Sequence, residues 1–207
     1  MIILTNKVAS PDQTISYYDK NAADFVNTTQ SVDFHDVREV FLSYLSHRKA
    51  HILDFGCGSG RDAKAFIEQG YQVTAVDGSE KICRAASAYL GRPVRHMLFQ
   101  ELDEKDVYDG IWACASILHL PKKELPEVIC KMSAALKDNG VIYTSFKYGT
   151  FEGERNGRYF TYFTEKSLDE LLAQIPGLQT EKLWITGDVR EGRGDERWLN
   201  AILRSSL

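Results

Sequence analysis

The sequence predicts an α/β fold, a single domain in which strands and helices alternate, and three observations carry that expectation. The apolar run Ile52-Leu53-Asp54-Phe55 stops in Gly56, Gly58 and Gly60, spaced two apart, and a helical pattern follows from Arg61; this reads as a strand, a tight turn and a helix start. A second apolar run, Val73-Thr74-Ala75-Val76, ends in Asp77, seventeen residues beyond Gly60, so the two strands are parallel and joined over one helix. Strand-like and helix-like segments keep alternating to the C-terminus, as in a mostly parallel sheet. With 207 residues, 43% of them apolar, the chain has the size of one domain with a substantial core.

Taken in order, residues 1–48 read as an N-terminal helical cap. One helix runs over about residues 12–26 behind Ser10-Pro11-Asp12, with Tyr18, Ala22, Phe25 and Val26 at helical spacing. A second runs over about 33–48, where Val37, Val40, Phe41, Tyr44 and Leu45 make an apolar stripe. After Gly60 a helix reaches Gln69 and Gly70 caps it; the strand Tyr71 to Val76 follows. Ser79 is a good N-cap for a helix ending before Gly91-Arg92-Pro93. Strands are expected at 94–99, 107–114 and 141–146, with Lys122 to Leu136 helical and Asp138-Asn139-Gly140 a turn. Residues 147–163 are left as a long connection rich in aromatics, which argues against disorder and for a functional loop. A helix begins near Thr164, and 178–185 with 198–203 form a closing antiparallel pair.

The glycine spacing points to a nucleotide-like ligand, because glycine lets the backbone approach closely and the helix N-terminus offers free N–H groups. A dinucleotide fingerprint would place its third glycine where Arg61 stands. Asp54, at a parallel strand's end, is costly to desolvate unless a positive or hydrogen-bonding group meets it. At this point the chain resembles the class I S-adenosylmethionine (SAM)-dependent methyltransferases of the small-molecule type, over roughly residues 15–205. Their first motif is apolar-apolar-acid-apolar-Gly-x-Gly-x-Gly, with an acid ending the next strand. The resemblance implies a Rossmann-like, seven-stranded, mostly parallel sheet with helices on both faces and a C-terminal antiparallel strand pair.

It also implies a site. Asp54 would receive the amino group of SAM, Asp77 the ribose hydroxyls, and Gly56, Gly58, Gly60, Gly78 and Ser79 would line the cofactor. Arg61 would meet the methionine carboxylate or, alternatively, form a surface ion pair. Either Tyr17 or Tyr18 matches the tyrosine pair that packs over the cofactor in the family, and Tyr18 is taken as the candidate. Met97 to Glu101, with Phe99 among them, and Cys114-Ala115-Ser116 would wall it. Many family members carry an acid for the adenine amino group where this chain has Leu98; packing on the adenine, or Gln100 or Glu101, would substitute. His119 is the candidate general base, with packing as the competing role, while His35, His47, His51 and His96 are read as surface or packing residues. Tyr148, Arg158, Tyr159 and Tyr162 are the candidate substrate contacts.

A net charge of −4 and a pI near 5.8 give no general field for nucleic acid. RNA methylation would need Lys147, Arg155, Arg158, Arg190 and Arg193 to converge at one rim. Cys57, Cys83, Cys114 and Cys130 are dispersed in apolar segments, so neither zinc nor disulfides are expected. The start Met1-Ile2-Ile3-Leu4-Thr5-Asn6-Lys7 has too short an apolar run for a signal peptide, and no stretch is a membrane span. The expectation is thus a cytoplasmic methyltransferase, monomeric or homodimeric, acting on a small-molecule acceptor without a metal. An RNA (tRNA) methyltransferase, a nicotinamide-dependent oxidoreductase and a non-catalytic SAM-binding protein are the alternatives, and Asp54 and Arg61 fit the nicotinamide reading poorly.

Overall fold

A computed structural model describes residues 11–190 and 192–205; the expectations for Ser10 and for residues 1–7 lie outside them. Five parallel strands run β1 (His51–Phe55), β2 (Gln72–Asp77), β3 (Arg95–His96), β4 (Tyr108–Ala113) and β5 (Leu136–Lys147). Two further strands, β8 (Leu178–Gly187) and β9 (Arg197–Ser205), complete a seven-stranded sheet of order β3-β2-β1-β4-β5-β9-β8. β9 pairs antiparallel with both β5 and β8. The chain reverses direction across the sheet between β1 and β4, so the carboxyl ends of β1, β2 and β4 open onto one crevice, where ligands of such sheets bind.

Side chains alternate along these strands and both faces are covered, as a parallel sheet requires. Leu53, Phe55, Ile111, Ala113, Ile142 and Phe146 join one apolar cluster with Leu125, Ile129 and Met132 of α6 (Leu125–Ala135) and Leu168 and Leu171 of α7 (Glu165–Leu172). Ile52, Trp112, Tyr143 and Ile202 face the other way, against Val37 and Phe41 of α3 (His35–Leu42) and Phe66 of α4 (Arg61–Glu68). Trp112 stacks on Tyr143 at 4.0 Å between ring centroids. α5 (Glu80–Leu90) covers the β2 end with Cys83 and Ala86, and Ser79 caps it by accepting from the Ile82 amide at 3.2 Å.

The cap comprises three helices, α1 (Pro11–Lys20), α2 (Ala22–Thr29) and α3, where two were expected. The expected first helix is interrupted at Asn21, whose Nδ2 donates to the Tyr17 carbonyl at 2.8 Å beside its own amide at 3.0 Å. The second stops at Leu42 because Ser43 Oγ bonds back to the Val40 carbonyl at 2.7 Å. Asp19 pins α1 to α5 by accepting from Ser79 Oγ (2.6 Å) and the Lys81 amide (3.3 Å).

Two other expectations are corrected. β3 keeps only two residues because the Glu101 carboxylate accepts from the Leu98 amide at 2.7 Å, turning 97–101 away from the ladder. Residues 147–163 are not a loop throughout: β6 (Glu152–Arg155) and β7 (Arg158–Thr161) form an antiparallel hairpin around Asn156 and Gly157, both left-handed at φ +52° and +75°. Asn-Gly is the strongest two-residue hairpin signal, and it was legible in the sequence.

Candidate active site

The carboxyl ends of β1, β2 and β4, the cap helices, the β6–β7 hairpin and the β8–β9 connection surround one cavity of about 250 Å³. Its floor is the glycine turn. Gly56, at φ +84°, faces Ser116, where an added Cβ would come within 2.5 Å; Gly58, at φ +54°, would meet Phe25 of α2 at 3.1 Å. These positions need glycine for their left-handed backbone and because the protein's own side chains fill the space. The Gly56 and Cys57 amides donate to the Val76 carbonyl at 3.0 and 2.9 Å. Gly60, at φ +79°, packs toward Leu90 and Ala86 and lies off the cavity.

Asp54 lines the cavity at 2% exposure, and its Oδ2 has no hydrogen-bond partner among the described residues. Burial pushes its carboxyl well above the usual carboxylate range, and Asp62 adds to the effect. Asp77 is held differently: its oxygens accept from the Gly58 amide (3.0 Å) and the Ser79 amide (2.9 Å). Burial still raises its pKa, with those amides opposing. Arg61 lines the cavity and gives its fork to Asp62, with Nε–Oδ1 at 3.0 Å and Nη2–Oδ2 at 2.7 Å. Asp62 also accepts from Arg38 (2.8 Å) and Trp112 Nε1 (3.0 Å), and these donors hold its carboxyl below the usual range despite burial.

Met97, Leu98, Phe99 and Gln100 form one wall. Glu101 is absent from it, since its carboxylate caps the Leu98 amide. Opposite, Cys114, Ala115 and Ser116 leave β4. Ala115 adopts φ +49°, and its amide donates to Ser145 Oγ at 2.9 Å; a left-handed alanine is a strained residue held by its surroundings.

His119 sits where the cap meets the hairpin. Its Nδ1–H donates to the Tyr159 carbonyl at 2.7 Å, leaving Nε2 to accept from the Tyr18 hydroxyl at 2.9 Å. Burial lowers the His119 pKa to about 4, with the nearby Arg158 and Lys147 charges acting in the same direction and the Tyr159 carbonyl opposing; the ring is therefore neutral at pH 7. Arg158 and Phe160, two apart on β7, line the cavity, as strand alternation demands. The Arg158 guanidinium lies 4.7, 5.9 and 5.1 Å from the ring centroids of Tyr17, Tyr18 and Phe160.

The far rim comes from β5, β8 and β9. Arg190 pairs with Asp188, which also accepts from Trp198 Nε1 at 3.1 Å, and these bonds bring the Asp188 pKa down to about 2 against its burial. Lys147 pairs with Glu196, and Arg193 stands 3.8 Å from the same carboxylate.

Of the expected site residues, Tyr18, Asp54, Gly56, Gly58, Arg61, Asp77, Gly78, Ser79, Phe99, Ala115, His119 and Arg158 surround the cavity. Tyr148, Tyr159 and Tyr162 do not. Tyr148 donates to Glu165 at 3.0 Å, Tyr159 donates to Glu152 at 2.9 Å, and Tyr162 accepts from Arg155 at 3.3 Å. Tyr159 contributes its carbonyl, not its phenol. The sequence reading missed Phe160 and Trp198, which the alternation along β7 and β9 would have flagged. Lys147, Arg158, Arg190 and Arg193 do converge, while Arg155 lies elsewhere, over Phe151.

This sheet order, with acids at the ends of its first two strands beside a glycine turn, is the fold of the class I SAM-dependent methyltransferases. Residues 52–140 match the family model described as a methyltransferase domain. Among curated proteins, a ubiquinone biosynthesis O-methyltransferase of Rickettsia conorii is 30% identical over 102 residues, covering 47% of this chain and 35% of that protein; the chain thus spans about a third of that relative's length. Magnesium protoporphyrin IX methyltransferase of Synechocystis, solved with S-adenosylhomocysteine, superposes with a TM-score of 0.72 at 18% identity, covering 94% of this chain and all of that one. The Burkholderia thailandensis 1,6-didemethyltoxoflavin-N1-methyltransferase, solved with its acceptor and S-adenosylhomocysteine, gives 0.64 at 24% identity over 97% and 92%. Together these findings show the methyltransferase fold, with a match to a methyltransferase domain over residues 52–140. Among the described residues no cluster of His, Cys, Asp or Glu is placed to hold a metal, and no helix is long and apolar enough to cross a membrane.

Proposed function

We propose that the protein transfers a methyl group from SAM to an oxygen or nitrogen of a small molecule. The observation that carries this reading is Asp54: a buried carboxyl at the cavity floor whose Oδ2 has no hydrogen-bond partner among the described residues, which an ammonium group would satisfy. The site fits SAM in three further respects. Asp77, fixed by the loop amides, retains lone pairs for ribose hydroxyls; Leu98 and Phe99 offer an apolar wall to an adenine; and Tyr18 presents an aromatic ring toward a sulfonium. When bound, SAM supplies an activated methyl group, so the chain itself needs to bind, align and exclude water.

Alignment of two reactants can account for roughly 7–11 kcal/mol of barrier reduction. The cap helices and the hairpin provide it here by closing over the glycine floor. His119 acts as a positioning residue: its lone pair holds the Tyr18 hydroxyl, and it becomes a base only toward an acceptor hydroxyl that displaces Tyr18. RNA is disfavoured because the converging basic residues line a small cavity and not an exterior track. The cysteines are free thiols, in keeping with a reducing cytoplasmic setting. The test is incubation with methyl-labelled SAM and a panel of small phenols, acids and heterocycles, reading S-adenosylhomocysteine release; turnover on RNA alone would overturn the small-molecule reading.

A further inference from the structure

The acceptor end of the cavity carries more positive charge than its own acids balance. Lys147, Arg158, Arg190 and Arg193 line it, against the carboxylates of Asp188 and Glu196 that pair with three of them, an excess of two positive charges among the described residues. Arg190 is engaged by Asp188, and Lys147 and Arg193 share Glu196. Arg158 has no carboxylate partner among the described residues: its neighbours are the rings of Tyr17, Tyr18 and Phe160 and the Tyr18 hydroxyl, to which it donates, and its Nε is shut from solvent without a hydrogen-bond partner. Aromatic faces offset part of the cost of a desolvated guanidinium, but they do not neutralise it, and the remaining N–H donors suit a planar oxyanion.

The hairpin gives this arginine a fixed place. Arg158 follows directly on the left-handed Asn156-Gly157 turn, and an added Cβ at Gly157 would come within 3.1 Å of the Tyr17 ring, so turn, ring and guanidinium form one packed unit. We infer that the acceptor is a carboxylic acid whose carboxylate seats on Arg158 while its nucleophilic atom faces the cofactor. The inference rests on the methyltransferase reading and deepens it. The same excess charge that would hold this anion also disfavours protonation of His119, whose pKa the Arg158 and Lys147 charges help to lower. The carboxylate is a spectator anchor: no bond to it forms or breaks.

The test compares matched acids and esters, 4-hydroxybenzoate with its methyl ester and 3,4-dihydroxybenzoate with its methyl ester, as ligands of the full chain saturated with S-adenosylhomocysteine. Wild type should bind the acids more tightly than the esters. Arg158→Gln should lose the acids by about 10- to 100-fold, the loss expected for hydrogen bonds to a charged group, with ester affinity little changed. Arg158→Lys should recover part of that loss, since it keeps the charge without the fork. Affinity of each variant for S-adenosylhomocysteine and its melting temperature report whether the fold survives. Equal response of wild type to acid and ester, including none to either, overturns the inference, as does an acid preference that persists in Arg158→Gln. Absence of S-adenosylhomocysteine binding by wild type overturns the methyltransferase reading instead.

Discussion

At the scale of single residues, Asp54 and His119 make opposite demands on pH. Asp54→Asn keeps the shape of the side chain and removes the charge that would meet an ammonium group, so SAM affinity should fall by about 1.5–3 kcal/mol, read by calorimetry; unchanged affinity in a folded variant would remove Asp54 from the site. His119 is buried as the neutral ring with a pKa near 4, against about 6.5 unfolded. Its contribution to stability is therefore complete above about pH 6.5 and is lost progressively as pH falls toward 4, because the unfolded chain binds the proton first. Comparing wild type with His119→Gln by urea denaturation at pH 7.5 and 4.5 should show the stability difference narrowing by roughly 2 kcal/mol at the lower pH. A difference that does not change with pH would mean that His119 protonates freely in the folded protein. Asp54, Asp77 and Tyr18 were legible in the sequence because each is tied to a strand end or a motif whose direction follows from periodicity. Tyr148, Tyr159 and Tyr162 lie off the cavity, and no spacing rule shows this, because their sides depend on the hairpin and the segments flanking it.

At the scale of elements, α4 is fastened to α3 and β4 through one carboxylate. Asp62 accepts from Arg38, Arg61 and Trp112, and the Arg38 and Asp62 side chains are 11% and 7% exposed. Asp62→Ala leaves Arg38 buried with its charge unpaired and should cost about 3–5 kcal/mol. The exposed pair Arg84–Glu80, at 74% and 60%, should cost less than about 1 kcal/mol when broken. Urea denaturation of the two variants checks the ranking, and equal losses would contradict it. In the hairpin, Gly157→Ala forces a Cβ into a left-handed position against Tyr17 and should cost about 1–2 kcal/mol, measured the same way; a neutral effect would mean that the turn adjusts freely. Of these elements the strand–turn–helix start was plain in the sequence, since apolar run, glycines and helical stripe agree. The Asp62 hub was not: its three donors come from three separate segments, and no spacing rule joins Arg38, Arg61 and Trp112.

At the scale of the whole molecule, alternation of strand and helix patterns carried the fold class and the resemblance the seven strands, whereas the sheet order and the placement of β9 between β5 and β8 came from the structure. The convergence of Lys147, Arg158, Arg190 and Arg193 depends on that placement, because β9 brings the connection after β8 back over the crevice beside β5. The same topology sets Asp54 and Asp77 on adjacent strands, with Asp77 two residues beyond the Ala75 that pairs with Asp54, both lining the cavity, and the central claim is that these two acids receive SAM. Calorimetric titration of the protein with S-adenosylhomocysteine and, in parallel, NADH tests that claim most directly. The account predicts micromolar binding of S-adenosylhomocysteine and none of NADH; binding of NADH alone would contradict it and would turn the glycine turn and its two acids into a nicotinamide site.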